Sequence, residues 1–187
     1  MLKRLTDIVL VIVSVPLALL LGICVALAVL VTDGRPILYW SQRVGRHNRL
    51  FWMPKFRTMR RDTPAVATHL LANPKATLTP IGGLLRSSSL DEIPQLISVL
   101  MGAMTIVGPR PALFNQDDLI NLRTDYGIDR LLPGVTGWAQ VNGRDDLSID
   151  KKVELDVYYF NNRSFSLDIK ILLLTIKNVF GRRGVHH

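Results

Sequence analysis

The sequence predicts a membrane-associated α+β protein: an N-terminal membrane helix, then a compact domain of one small β-hairpin and several amphipathic helices. Three observations carry this expectation. From Ile8 to Val31 no residue is charged, and a run of that length can span a bilayer. Ile37 to Arg43 and Leu50 to Thr58 are rich in aromatic and β-branched residues and flank Gly45-Arg46-His47-Asn48, the pattern of two strands and a turn. Ile149 to Asn161 and Leu167 to Phe180 carry apolar residues at helical spacing. The turn Asp33-Gly34-Arg35-Pro36 divides the chain into a membrane anchor over 1–34 and a single domain over 35–187.

The apolar run reads as a retained anchor. Lys3 and Arg4 precede it and Ala26-Leu27-Ala28 resembles a cleavage site, but the run is too long for the core of a signal peptide. Cys24 is a poor lipoprotein site because Ile23 stands where a small residue belongs. Pro16, with Ser14 two positions earlier, is expected to break or kink the helix. Both flanks are basic: Lys3 and Arg4 before, and Arg35, Arg43, Arg46, Arg49, Lys55, Arg57, Arg60 and Arg61 after. Positive charge on both sides favours keeping both ends in the cytoplasm. A helix-break-helix that enters and returns satisfies that preference, and an ordinary kinked span is the alternative.

After the hairpin, Arg61 to Lys75 reads as a polar, partly irregular loop. Leu90 to Met101 reads as a helix opened by a capping box, since Glu92 follows Ser89 at the required spacing. Gln116 to Thr124 carries a weaker helical pattern. The last helix, Leu167 to Phe180, is too apolar for a free surface, yet Asp168, Lys170 and Lys177 interrupt it. It either packs on the core or lies in the membrane interface, with Lys170, Lys177, Arg182 and Arg183 towards anionic headgroups.

Lys and Arg number 23 against 15 Asp and Glu, a formal charge of +8. Such a balance suits nucleic acid, anionic lipid or phosphorylated substrates, and the membrane segment argues against nucleic acid. The single cysteine excludes an intramolecular disulfide and a cysteine-built metal site. His47 and His69 form no metal-ligand pattern.

Chemistry concentrates at Asp91-Glu92, an acidic pair with Arg86 before it and Arg110 beyond the helix. At a helix start, free N–H groups and the macrodipole favour ionised carboxylates and draw anionic ligands. A carboxylate among arginines suggests phosphate chemistry at a membrane surface. Four strings stand together: Lys55-Phe56-Arg57-Thr58-Met59; Arg86 with Leu90-Asp91-Glu92-Ile93-Pro94-Gln95-Leu96; Val107-Gly108-Pro109-Arg110-Pro111; and Pro133-Gly134-Val135-Thr136-Gly137-Trp138-Ala139-Gln140-Val141-Asn142-Gly143-Arg144. In this order, after an N-terminal membrane segment, they closely resemble the monotopic phosphoglycosyl transferases, the bacterial sugar transferase family. The resemblance runs from Leu2 to Val185.

That resemblance implies transfer of a sugar 1-phosphate from a UDP-sugar to polyprenyl phosphate, giving polyprenyl-diphosphate-sugar and UMP. It implies a Mg²⁺ requirement, a covalent intermediate on Asp91, and a re-entrant membrane helix packed on a small α+β domain at the cytoplasmic face of the bacterial inner membrane. It also implies the minimal type of the family, without the additional membrane spans of longer relatives. The family's Ser-Pro dipeptide at the helix break is replaced here by Val15-Pro16, with the serine displaced to Ser14.

The residue chemistry points the same way. An ionised carboxylate can be a nucleophile, and Mg²⁺ takes hard oxygen ligands such as Asp91. Arginine forks suit phosphate oxygens, a role expected of Arg86 and Arg110, with Lys55 and Arg57 as further candidates. Glu92 is expected to act on the metal or the lipid phosphate. Gln140, Asn142 and Arg144 are candidates for the nucleotide or sugar. From a different class, a membrane-tethered basic adaptor binding anionic lipid or nucleic acid would leave Asp91 dispensable.

Overall fold

The computed structural model describes residues 2–66, 73–143 and 146–181. Arg144, His69, Arg182 and Arg183 lie outside them. Helix α1 runs over Leu2–Asp33, 32 residues with Pro16 inside. The expected break at Pro16 is not an interruption: the chain stays helical through it. A proline leaves the carbonyl one turn earlier without its amide, and Ser14 Oγ donates to Val11 O at 2.8 Å in that same turn. The helix ends at Gly34, whose positive φ of 69° and amide bond to Leu30 O make a glycine C-cap.

Strands β1 (Leu38–Val44) and β2 (Leu50–Phe56) form the expected antiparallel hairpin, in a register running from Leu38↔Phe56 to Val44↔Leu50. His47 and Asn48 carry the reversal with φ of 55° and 56°. Met53 of β2 packs with Val11 of α1, while Phe56 packs with Val25 and Val29. The hairpin therefore lies along the anchor helix and meets it towards both ends.

Helix α2 (Gly82–Ser88) has no counterpart in the sequence expectations, and it ends at Ser89 in the left-handed region, φ 58°. Here the capping box fails. Ser89 makes no side-chain cap, and the expected helix resolves into a 3-10 turn over Leu90–Glu92 and a short α3 over Gln95–Leu100. The physical reason is Pro94, which has no N–H to carry the helical ladder back to Leu90 O and instead stands at the start of α3. Strands β3 (Thr105–Val107) and β4 (Gly134–Thr136), too short for a periodic signal, pair in parallel through Thr105↔Gly134 and Val107↔Thr136.

Helices α4 (Asp117–Asp125), α6 (Ile149–Asn162) and α7 (Phe165–Gly181) fall within a few residues of expectation. The single-turn α5 (Trp138–Val141) was not anticipated. Both readings of α7 have support. Ile171 is fully buried against Val107 and Tyr159, while Phe165, Ile169, Leu173 and Ile176 form an exposed apolar stripe at helical spacing.

Candidate active site

Asp91 and Glu92 are 6% and 9% exposed, so both carboxylates sit in surroundings that penalise unpaired charge. The 3-10 turn presents them towards β2 and the segment after β3. Lys55 Nζ donates to Glu92 Oε1 at 2.9 Å, and Arg110 Nη2 donates to the same oxygen at 2.9 Å. Lys55 Nζ stands 4.0 Å from Asp91 Oδ2, an ion-pair separation beyond hydrogen-bond length. Glu92 is thus pinned by two cations while Asp91, its neighbour, is held electrostatically.

Burial pushes the Asp91 carboxyl above the ordinary carboxylate range; Lys55, Arg110 and Arg86 oppose that rise and Glu92 adds to it. Burial lowers the Lys55 ammonium below the usual lysine value, with Glu92 and Asp91 opposing and Arg110 and Arg43 reinforcing. Arg86, in the last turn of α2, reaches Asp91 through its field. Five of the sequence candidates, Lys55, Arg86, Asp91, Glu92 and Arg110, are therefore brought together. Their convergence comes from three separate chain segments.

Arg57 goes elsewhere. Only 5% exposed, it donates Nη2 to Asp33 O at 2.6 Å and to Gly34 O at 2.9 Å, capping the C-terminal end of α1. Gln140 Nε2 donates to Val135 O at 3.3 Å and Asn142 Nδ2 to Trp138 O at 2.8 Å, so both serve their own turn of chain. The Pro133-to-Asn142 string has a different use. A Cβ at Gly134 would stand 2.2 Å from Gly108 N, and one at Gly137 2.0 Å from Gly108 O. Only glycine permits this approach, and it seats β4 directly against the turn that leads to Arg110.

A model of the family described as bacterial sugar transferase matches residues 1–182. The chain belongs to the bacterial sugar transferase family. This transferase is 43% identical over 154 residues to the uncharacterized sugar transferase EpsL of Bacillus subtilis, covering 81% of this chain and 74% of the relative. It is 38% identical over 169 residues to an undecaprenyl-phosphate galactose phosphotransferase of Salmonella typhimurium, 82% of this chain and 35% of that protein. To a UDP-glucose:undecaprenyl-phosphate glucose-1-phosphate transferase of Escherichia coli it is 37% identical over 194 residues, 100% of this chain and 42% of the relative. The chain thus spans well under half the length of the galactose and glucose enzymes.

The transferase also uses residues that motif reading passed over. Arg123 of α4 donates Nη1 to the Arg110 carbonyl at 2.7 Å, and donates Nε and Nη2 to Asp156 Oδ2 at 3.0 and 2.6 Å. Asp156 is 1% exposed on the inner face of α6 beside Val153. Burial raises its pKa and Arg123 opposes the rise. A carboxylate at an apolar-stripe position was the available signal. Gln95, 2% exposed, follows Asp91 by one helical turn, and its Nε2 is buried without a hydrogen-bond partner among the described residues. Its signal was a polar residue facing inward in the short α3.

Proposed function

We propose that this transferase moves a sugar 1-phosphate from a UDP-sugar to polyprenyl phosphate through a covalent intermediate on Asp91. The observation that carries the reading is the division of labour in the acidic pair. Glu92 is fixed by Lys55 and Arg110 at 2.9 Å each, whereas Asp91 stands 4.0 Å from Lys55. An ionised carboxylate in a water-poor, cation-lined site is an effective nucleophile.

An Asp91 oxygen attacks the β-phosphorus of the donor. The bond from that phosphorus to the oxygen bridging to the α-phosphate breaks, and UMP leaves with that oxygen. An oxygen of the lipid phosphate then attacks the same phosphorus, the acyl phosphate bond breaks, and Asp91 regains its carboxylate. Lys55, Arg86 and Arg110 offset the charge of two anions brought together.

Asp91 is the residue that would hold Mg²⁺, because its carboxylate offers hard oxygen; no group of three or more His, Cys, Asp or Glu residues converges among the described residues. An ion held through Asp91, with substrate phosphate and water completing its shell, matches Mg²⁺ preference. When bound, it would neutralise charge on the transferring phosphoryl group.

A re-entrant, monotopic placement is supported by both ends of α1 meeting the same domain. Near its start Lys3 donates to Asp168 Oδ2 at 2.6 Å, and Arg4 donates to Val99 O and Leu100 O. Near its end Val25 and Val29 pack on Phe56 and Leu85, and Arg57 holds the last carbonyls. Fastening at both ends to one domain favours keeping the start and the end of α1 on the same side of the bilayer. The outer face, including Leu5, Ile12, Leu20, Leu27 and Val31, is exposed and apolar, suited to the cytoplasmic leaflet of a bacterial inner membrane with anionic headgroups at its basic rim.

The test is UMP release from a panel of UDP-sugars, with and without polyprenyl phosphate and Mg²⁺, in membrane-embedded protein. Release that depends on donor, Mg²⁺ and Asp91 supports the reading and names the sugar. Turnover that survives Asp91→Asn overturns the nucleophile. Binding to anionic vesicles without release from any donor would favour a membrane-tethered adaptor.

A further inference from the structure

Asp7 is the one buried acidic residue of the anchor helix, 4% exposed in a helix whose surface is otherwise largely apolar. An acid at such a position is costly unless its oxygens are used. Both are. Asp7 Oδ2 accepts from Thr105 Oγ1 at 2.7 Å, and Oδ1 accepts from the Ile106 amide at 3.1 Å.

The placement follows from strand geometry. Among the described residues β3 pairs only with β4, and no strand neighbours its other edge. Thr105 N donates across to Pro133 O at 2.9 Å and Gly108 N to Thr136 O at 2.8 Å. The Ile106 amide faces the opposite edge, and there the Asp7 carboxylate takes the place of a strand. Lys3, one turn earlier in α1, donates to Tyr159 Oη at 3.2 Å, and Tyr159 Oη lies 3.2 Å from Val107 O. The first two turns of α1 thus hold Thr105 and Ile106 directly and reach Val107 through Tyr159 of α6.

The strand runs straight into Gly108-Pro109-Arg110. Gly108 is clamped against β4, Pro109 is stiff, and Arg110 ends on Glu92. We propose that Asp7 is a positioning residue: by bracing the open edge of β3 it sets where the Arg110 guanidinium meets Glu92, and so links the seating of the anchor helix to the catalytic pair. The inference rests on the reaction proposed above for its kinetic consequence. Its structural consequence stands without it.

The experiment uses the full chain in nanodiscs and combines exchange with a double-mutant cycle. Asp7→Ala should raise amide deuterium uptake over residues 105–110 and leave α6 unchanged; uptake equal to wild type overturns the brace. Donor-dependent UMP release should fall roughly 10- to 100-fold in Asp7→Ala, the scale of an ångström-sized misplacement. In an Arg110→Ala background the same change should cost less than about twofold, because the two act through one contact. A full multiplicative loss in that background would show that Asp7 acts elsewhere and would overturn the positioning role. Should Asp7→Ala fail to fold, Asp7→Asn retains an acceptor for Ile106 and enters the same cycle, while Asp7→Glu should restore part of the rate. If wild type releases no UMP, the reaction falls and the exchange result alone decides whether Asp7 braces β3.

Discussion

At the scale of single residues, the acidic pair separates into one member pinned by two cations and one held only at ion-pair distance. Glu92 shares one oxygen between Lys55 and Arg110, and Asp91 lies beside that cluster at ion-pair distance. Asp91→Asn should reduce UMP release by at least about a thousandfold, since an amide cannot form the acyl phosphate; single-turnover assays check it. The pH dependence follows from two opposed shifts. In the proposed mechanism Asp91 must be ionised to attack, and burial raises its pKa, so the rate should be lost as pH falls through a value above the ordinary carboxylate range. Lys55 must be cationic, and burial lowers its pKa, so the rate is lost as pH rises through a value below the ordinary lysine one. The bell should therefore be narrowed from both sides. Lys55→Arg should move the alkaline limb upward, because a guanidinium keeps its proton throughout.

At the scale of elements, the site depends on how short segments are braced. Arg123 joins α4 to α6 through Asp156 and holds the Arg110 carbonyl from behind. Removing one partner of a buried pair leaves the other charge uncompensated, so Asp156→Ala should destabilise the fold by about 3–5 kcal/mol. Thermal unfolding in detergent measures that loss, with Glu154→Ala on the exposed face of the same helix as a control near zero. Local signals at this scale were partly deceptive. Ser89 and Glu92 spell a capping box, but Pro94 broke the helix they would have opened, and Ser89 turned left-handed at the end of α2 instead. Arg57, spaced for phosphate beside Lys55, lies one residue beyond β2 and was drawn to the C-terminal carbonyls of α1. A lone sequence cannot show which of two nearby acceptors an arginine will find.

At the scale of the whole molecule, α1 is in contact with the domain near its start and near its end. Between its two fastened ends α1 covers an open apolar groove of about 1040 Å³, lined by Val15, Ala18, Gly22, Ile37, Ile93 and Leu96 among others. Its outer face and the stripe of Phe165, Ile169, Leu173 and Ile176 on α7 present apolar surface well beyond that of a typical water-soluble domain. Cysteines placed singly near Lys3 and near Arg60, in a Cys24→Ser background because Cys24 is exposed, should both resist an impermeant thiol reagent in intact spheroplasts. Labelling near Lys3 alone would mean that α1 crosses the bilayer. The basic flanks that predicted this topology have a second use, because Lys3 and Arg4 are engaged by Asp168, Val99 and Leu100 of the domain.

Much of this protein was legible before any fold. An uncharged run, an alternating hairpin and helical apolar periods each depend on a residue's nearest neighbours along the chain, and burial of apolar surface turns such periods into elements. Those local rules determined α1, the hairpin, α4, α6 and α7, and the four motif strings marked Asp91, Glu92, Lys55, Arg86 and Arg110 as a set. Tertiary structure alone decided what each charge would face. The brace of β3 by Asp7, the Arg123–Asp156 support behind Arg110, and the diversion of Arg57 all join residues far apart in sequence. Such pairings arise because a buried polar group must find a partner in space, and the chain order holds no record of which partner lies within reach.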